Sequence, residues 1–125
     1  MIYVASKIAH APMWRNYREH GFPIRSSWID MTGPNAGVDW DTFIAEVAKA
    51  KIVVAYLSAW DEFWRGALVE IGCALGLNKP VLLVVPNVDD PAQLRQRIGS
   101  WTTHKRVIFQ PDIGTAMDVA KDYCL

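Results

Sequence analysis

The sequence predicts an α/β fold: a single doubly wound domain around a five-stranded parallel sheet in the flavodoxin-like order 2-1-3-4-5. Short apolar runs alternate with segments of helical periodicity, and the connections between them are short. The run KIVVAYL is continuously apolar, as in a strand covered on both faces. With 51% of its 125 residues hydrophobic, the chain suits one domain, residues 1–125, with its own core.

The first predicted elements are a strand and a helix. The apolar run Ile2 to Ala5 is the strand. Pro12 suits the first turn of a helix over Met13 to His20, which Gly21 ends.

A second strand is predicted from Pro23 to Trp28. The loop DMTGPNAGVD follows it, and its Gly, Pro and Asn residues mark irregular backbone. From Asp39 to Ala50 apolar residues recur at helical spacing, and KIVVAYL then forms the third strand, which ends near Leu57.

The second half of the chain continues the alternation of helices and strands. Its predicted elements are a helix from Gly66 to Leu77, the strand PVLLVVP, a helix from Pro91 to Ile98, the strand RVIF and a helix from Gly114 to Tyr123. In the predicted order the topological switch lies between strands one and three, so a ligand crevice opens at their carboxyl ends. These ends are ASK (residues 5–7) and YLSAWD (residues 56–61).

The composition limits the classes of partner and the compartment. Thirteen basic and thirteen acidic residues cancel, without a basic stripe, so direct nucleic-acid or membrane-surface binding is not expected. A small neutral or singly charged ligand fits better. Cys73 and Cys124 lack metal-type spacing and indicate reduced thiols. No signal peptide or membrane span is indicated, so a cytoplasmic protein is expected.

Glu70 is the only acidic residue in the apolar stretch WRGALVEIGCALGLNKP. Its neighbours at helical spacing are small and cannot pair with a charge: Gly66, Ala67, Cys73 and Ala74. Small neighbours would let another molecule approach the carboxylate, and the helix dipole would help to keep it ionised. Alternatively, Glu70 is a partly exposed helix residue, or a buried one paired with a distant arginine such as Arg65 or Arg15.

Other acidic residues near the crevice each have a structural alternative. Asp61 and Glu62 lie in the exit loop of the third strand, but Ser58-x-x-Asp61 also fits a capping box. Asp39 and Asp41 lie where a helix begins on the crevice side, and Asp is a favoured residue at the N-cap and in the first turn.

Aromatic residues also cluster at the crevice side of the predicted fold. Trp28, Trp60 and Trp64 could stack on a nucleobase, or they cover the edge of the core or form a subunit contact. Tyr3 lies in the first strand, where a core position is common and a buried hydroxyl would need a partner.

Lys7 and His10 lie in the loop before the first helix, where a cation and backbone N–H groups can hold a phosphate, although ordinary solvated side chains are the commoner case. Dinucleotide, P-loop, zinc-protease and serine-hydrolase motifs are absent, so neither a metal nor an organic cofactor is implied.

Three pieces of the sequence, taken together, resemble the nucleoside 2-deoxyribosyltransferase family. They are IYVAS, an Asp at the head of the helix before KIVVAYL, and GALVEIGCALGLNKPVLLV. The resemblance is closest to small phage-type and bacterial variants that begin YVASK and continue SSWID. It covers residues 2 to 86, and its most specific piece, Gly66-x-x-x-Glu70-Ile71-Gly72 followed by Lys79-Pro80-Val81, is shared with related N-glycosidases.

The resemblance implies a role for each matching residue. Glu70 matches the family's nucleophilic glutamate, Asp41 its substrate-binding aspartate, and Tyr3 the tyrosine that positions the nucleophile. Asp61 or Asp41 would be the acid that protonates the departing base. The residues expected to contact the substrate are Ser6, Lys7, Trp28, Ser58, Trp60, Trp64 and Gly66.

The activity that the resemblance implies is cleavage or transfer at the N-glycosidic bond of 2′-deoxynucleosides or their 5′-monophosphates, in a homo-oligomer of two or more chains. Transfer to another base and hydrolysis by water both stay open. Trp64 and Arg65 stand where the family often has acidic residues, which leaves the acid open as well. The alternative is a non-catalytic nucleotide-binding or interaction module of the same fold.

Overall fold

The computed structural model describes residues 1–31, 37–58 and 65–125 as an α/β fold with a parallel four-stranded sheet. The strands are β1 (Ile2–Ala5), β2 (Ile52–Tyr56), β3 (Val81–Val84) and β4 (Val107–Gln110). The α-helices of the described ranges are α1 (Ala11–Glu19), α2 (Trp40–Lys49), α3 (Arg65–Gly76), α4 (Pro91–Ile98) and α5 (Ile113–Tyr123). Short 3-10 helices span Ile8–His10, Ser27–Asp30 and Ser100–Thr103.

The sheet orders its strands β1-β2-β3-β4, with every neighbouring pair parallel. All residues of β1 and β3 are buried, as are the first four of β2, because helices cover both faces of the sheet. Helix α3 packs against β1, β2 and β3, and α5 packs against β2, β3 and β4.

The predicted second strand, Pro23 to Trp28, was wrong as an extended element. Ile24 forms only an isolated parallel bridge with Ile2 on the outer edge of β1. From Ser27 the backbone turns into a 3-10 helix. The five strands and the order 2-1-3-4-5 are therefore not confirmed.

Side chains replace the ladder bonds that a longer second strand would have made to β1. Ser26 Oγ accepts a hydrogen bond from the backbone N–H of Val4 at 2.9 Å. Trp28 Nε1 donates to the carbonyl oxygen of Val4 at 2.8 Å. Because both backbone groups of Val4 are already satisfied, the chain can leave the sheet without exposing unpaired polar groups.

The other predicted elements are present with shifts of one or two residues at their ends. Helix α2 begins after Asp39, whose side chain accepts a hydrogen bond from the backbone N–H of Thr42 at 3.0 Å. The N-cap is therefore Asp39, and Asp41 lies in the first turn. None of the helices in the described ranges combines the length and the apolar character needed to cross a membrane.

Candidate active site

The carboxyl ends of β1 and β2 form one edge of the sheet, and α2 and α3 begin at that edge. The register pairs Tyr3 with Val53 and Ala5 with Ala55. Since paired residues on parallel strands project to the same face, these four face α3. Ser6 directly follows β1, and Ser58 lies two residues after the end of β2.

Tyr3 and Glu70 meet on the α3 side of this edge. The hydroxyl of Tyr3 donates a hydrogen bond to Oε2 of Glu70. Tyr3 is 0% exposed and Glu70 is 4% exposed, so the bond lies inside the protein. The sequence left open whether Glu70 is partly exposed or buried beside an arginine. In the structure Glu70 is buried, and its hydrogen-bond partner is a tyrosine. Arg15 instead donates to the carbonyl oxygen of Ile29 at 2.5 Å.

The small residues around Glu70 serve the packing of α3. Ala67 and Ala74 are buried with Glu70 on the face that meets the sheet. A Cβ added at Gly66 would lie 3.2 Å from Cη2 of Trp40, so this glycine gives room to the indole ring. Gly66 therefore makes room for Trp40, and Ala67 and Ala74 face the core. The expectation that small residues let another molecule approach the carboxylate stays a prediction.

Burial dominates the electrostatics of the pair. It raises the pKa of Glu70 to about 8, against the hydrogen bond from Tyr3, which lowers it, while the charge of Glu46 raises it further. Burial and the neighbouring Glu70 carboxylate also raise the pKa of Tyr3, so its hydroxyl keeps its proton. The helix dipole was expected to keep Glu70 ionised. It does not prevail because Glu70 is the sixth residue of α3, beyond the first turn where the dipole acts.

Glu46 on α2 is a second buried carboxylate, 8% exposed, that sequence reasoning missed. Its Oε1 accepts from the backbone N–H of Ser27 at 2.9 Å, and its Oε2 accepts from the hydroxyl of Ser27 at 2.7 Å. The signal was available, because Glu46 lies three residues after Phe43 and next to Val47 on the apolar face of α2. A charged residue on a buried helix face is the same anomaly that singled out Glu70.

The chain matches no protein-family model, no curated protein and no solved structure. Function is therefore inferred from the chemistry of the site residues and from the sequence resemblance.

A second contact joins the two loops at the crevice on the face opposite α3. His10 Nε2 and Ser58 Oγ are hydrogen-bonded at 2.9 Å, and the His10 ring lies 4.9 Å from the ring of Tyr56. Lys7, which precedes the 3-10 helix containing His10, is half-buried. The pair fixes the end of β2 against the loop after β1, at the place where the sequence predicted substrate contacts.

Ser6 and Trp28 are buried and hydrogen-bonded within the fold. Ser6 Oγ accepts from Nε1 of Trp14 at 2.7 Å, and Ser6 is 8% exposed. Trp28 is 7% exposed, and its indole N–H is bound to Val4. In this conformation Trp28 covers the edge of the core, the structural alternative weighed for the tryptophans.

The remaining predicted residues are either exposed or outside the described ranges. Asp41 is exposed in the first turn of α2, so the described residues do not shelter it as the acid hypothesis required. Predicted residues outside the described ranges are Trp60, Asp61, Glu62 and Trp64, and the capping box from Ser58 to Asp61 is untested for that reason. Within the described ranges, no group of three or more His, Cys, Asp or Glu side chains could hold a metal ion.

Proposed function

We propose that the chain cleaves the N-glycosidic bond of 2′-deoxynucleosides or their 5′-monophosphates through a covalent deoxyribosyl intermediate on Glu70. One observation carries this proposal: a buried carboxyl group at the carboxyl edge of a parallel sheet is held by the hydroxyl of Tyr3. The sequence resemblance supplies the substrate class, and the geometry supplies the group that can react.

The chemistry divides one difficult step into two. As the bond between C1′ and the base nitrogen breaks, its electron pair leaves with the base, and an oxygen of the Glu70 carboxylate bonds to C1′. A second base or a water molecule then attacks C1′, and Glu70 leaves as a carboxylate. The first acceptor gives transfer of deoxyribose, and the second gives hydrolysis.

Tyr3 positions the nucleophile in this scheme. Its hydroxyl binds Oε2 of Glu70, which leaves Oε1 to attack C1′. Because Tyr3 keeps its proton, it donates to the carboxylate before attack and to the ester carbonyl afterwards. A rigid partner of this kind holds the attacking oxygen in one orientation, as a near-attack geometry requires.

The departing base needs a proton, because an anionic purine or pyrimidine leaves poorly. Asp41 and Asp61 are the two proposed donors. Asp41 is exposed in the first turn of α2, and bound substrate would have to provide the shelter that raises the pKa of a donor carboxyl.

The test of this proposal is incubation of the protein with each 2′-deoxynucleoside and each 5′-monophosphate, with and without an acceptor base, followed by chromatography. Free base in water alone supports hydrolysis, and a new nucleoside only with acceptor supports transfer. Glu70→Gln is expected to abolish either activity, and Glu19→Gln, which changes an exposed acid on α1, keeps it. Wild-type turnover in Glu70→Gln would contradict the mechanism. A deoxyribosyl adduct on Glu70 in the mass spectrum of trapped protein would be the most direct support.

A non-catalytic nucleotide-binding module is the second candidate, and the raised pKa of Glu70 favours it. At neutral pH about one Glu70 in ten is ionised, and a protonated carboxyl is a poor nucleophile. Two results together would favour this candidate. Calorimetry would show saturable binding of deoxynucleotides, and activity assays between about pH 6 and about pH 9, in steps of about one pH unit, would give no product from any substrate.

We also infer a homo-oligomer of two or more chains. The resemblance implies one, and the outward side of α3 carries the exposed apolar residues Leu68 (41%) and Val69 (53%), followed directly after the helix by Leu77 (50%). A second copy would remove this area from water. Val69→Lys is expected to yield monomers in light scattering, whereas Val119→Lys on α5, also exposed, leaves the mass unchanged. A monomeric wild type would contradict the inference.

A cytoplasmic location accompanies the proposed activity. Cys73 and Cys124 are free thiols, as is usual where glutathione keeps cysteines reduced. Fractionation of the native cell with a thiol-labelling step would test this location. Recovery with secreted proteins would contradict it.

A further inference from the structure

Glu46 is a buried carboxylate to which the proposed reaction gives no task. It lies on the apolar face of α2 and is 8% exposed. Ser27 donates to both of its oxygens, at 2.9 Å from the backbone N–H and at 2.7 Å from the hydroxyl. Donors on both oxygens fix the position of the carboxylate.

The segment that holds Glu46 is itself tied to β1, next to Tyr3. Ser26 and Trp28 flank Ser27, and they bind the backbone N–H and carbonyl groups of Val4. Val4 is the neighbour of Tyr3 in the strand. Helix α2 also packs against α3, which holds Glu70. Glu70 is therefore bonded to Tyr3 of β1, and Glu46 is bonded to a segment that holds the next residue of the strand, Val4. The two helices that carry these carboxylates are in contact.

The surroundings of the two carboxylates differ. Glu46 lines an open cleft of about 200 Å³ with polar residues: Arg18, Arg25, Ser26, Ser27 and Asp30. Arg18 is engaged by both oxygens of Asp30, at 2.7 and 2.8 Å. Glu70 is more deeply buried, at 4% exposed, and its hydrogen-bond partner is Tyr3.

We propose that Glu46 is a positioning residue for the Glu70 centre: a fixed buried negative charge, held by Ser27, that acts on Glu70 through space and makes its carboxylate a stronger nucleophile. This inference rests on the proposed function of Glu70. The same charge favours a positively charged sugar over a neutral one, so it acts in the direction that an oxocarbenium-like transition state requires.

The charges acting on the Tyr3–Glu70 pair support this role. Besides burial and the hydrogen bond from Tyr3, the charge of Glu46 acts on Glu70 and raises its pKa. It raises the pKa of Tyr3 as well, as does Cys73 one turn along α3. The titratable groups that act on this centre include Tyr3 on β1, Glu46 on α2 and Cys73 on α3.

Glu46→Gln separates charge from structure, because the amide oxygen of glutamine can accept from the Ser27 backbone N–H and its NH2 group can donate to the Ser27 hydroxyl oxygen. The titration of Glu70 is followed by carbon-13 NMR of the side-chain carboxyl, assigned with Glu70→Gln. We expect the midpoint, about 8 in the wild type, to fall by about one pH unit in Glu46→Gln. The ascending limb of kcat/KM against pH should shift by the same amount, and kcat at high pH should fall about tenfold.

Two control variants test the alternative that Glu46 only anchors the 3-10 helix. Ser27→Ala removes the hydroxyl donor but keeps the carboxylate, so the midpoint of Glu70 should fall by less than in Glu46→Gln. Asp122→Asn removes an exposed carboxylate on α5 and should leave the midpoint unchanged. A fall of about one pH unit or more in Ser27→Ala, where the carboxylate is still present, would overturn the proposal, and it remains measurable if Glu46→Gln does not fold.

The NMR titration needs no turnover, so the inference and the proposed function fail in different ways. An unchanged midpoint in folded Glu46→Gln, with an active wild type, overturns the role of Glu46 alone. A lowered midpoint with an inactive wild type overturns the proposed function, and with it the role of Glu46 in the reaction. A lowered midpoint together with a shifted pH–rate limb supports both.

Discussion

The hydroxyl of Tyr3 is hydrogen-bonded to Oε2 of Glu70, which lies 67 residues later in the chain. The bond joins the first strand of the sheet to the buried face of α3. Both residues are within 4% of complete burial, so water does not compete for either group. The orientation of the carboxyl therefore depends on the packing of α3 against β1.

Tyr3→Phe removes the hydroxyl and keeps the ring in the core. Because the hydrogen bond lowers the pKa of Glu70, its loss should raise that pKa above about 8. A lost hydrogen bond to a charged group is worth about 1.5–3 kcal/mol, so kcat/KM at neutral pH should fall by about 10- to 100-fold. Steady-state kinetics on the best deoxynucleoside substrate measure the loss. A variant with wild-type kcat/KM would remove Tyr3 from the mechanism.

The pH dependence of the wild-type activity should follow the ionisation of Glu70. The reacting form is the carboxylate, so kcat/KM should rise with pH, with a midpoint near 8, and level off at higher pH. A descending limb at higher pH would report the acid that protonates the base. An ascending limb near pH 4.5 instead would mean that Glu70 is far better solvated than its burial indicates.

The sequence singled out Glu70 because it interrupts an apolar helix face, and it also required a partner for a buried Tyr3 hydroxyl. The sequence did not predict that Tyr3 and Glu70 are hydrogen-bonded to each other, because this contact depends on the packing of α3 against β1. Glu46 was missed because the charged residues on its helix were weighed only at the helix start. The face of α2 that carries Glu46 is apolar, like the face of α3 on which Glu70 was noticed.

The stability of the fold should fall as pH rises between 4.5 and 8. The folded state keeps the proton of Glu70 up to about pH 8, whereas the unfolded chain releases it near 4.5. The unfolded state therefore binds fewer protons in this window, and the stabilising contribution is complete below it and lost above it. The slope is at most about 1.4 kcal/mol per pH unit.

Glu70→Gln is the matched control, because it is neutral at every pH. The free energy of unfolding is measured by urea denaturation at about pH 5, 7 and 9. As pH rises, the free energy of the variant should increase relative to that of the wild type. A constant difference between the two proteins would mean that Glu70 titrates alike in the folded and unfolded states.

Local patterns predicted nearly every helix and strand of the described fold, and the failure at Pro23 to Trp28 has a specific cause. Strand propensity does not reveal that Ser26 and Trp28 bind the backbone of Val4 with their side chains. After the single bridge at Ile24, these side chains occupy the backbone groups of β1 that a longer second strand would have bonded. A side chain that replaces a ladder bond leaves no mark in an apolar pattern.

Asp39 and Asp41, two residues apart, should separate stability from substrate binding. Asp39 caps α2 by accepting from the backbone N–H and the hydroxyl of Thr42, so Asp39→Ala should lower the melting temperature. Asp41 is exposed, so Asp41→Asn should change stability by less than about 0.5 kcal/mol. If Asp41 binds substrate, its variant should raise KM at unchanged melting temperature. Equal kinetics in Asp41→Asn and the wild type would exclude it from the site.

Gly66 and Gly72, both in α3, should respond differently to alanine. Alanine is a better helix former than glycine by about 0.8–1.0 kcal/mol. Gly72 has open space where a Cβ would go, so Gly72→Ala should stabilise the protein by about that amount. At Gly66 the new methyl would lie 3.2 and 3.3 Å from two atoms of the Trp40 ring, which must shift by a few tenths of an ångström. Gly66→Ala should therefore gain less than Gly72→Ala in urea denaturation. Equal gains would mean that the Trp40 ring does not constrain the start of α3.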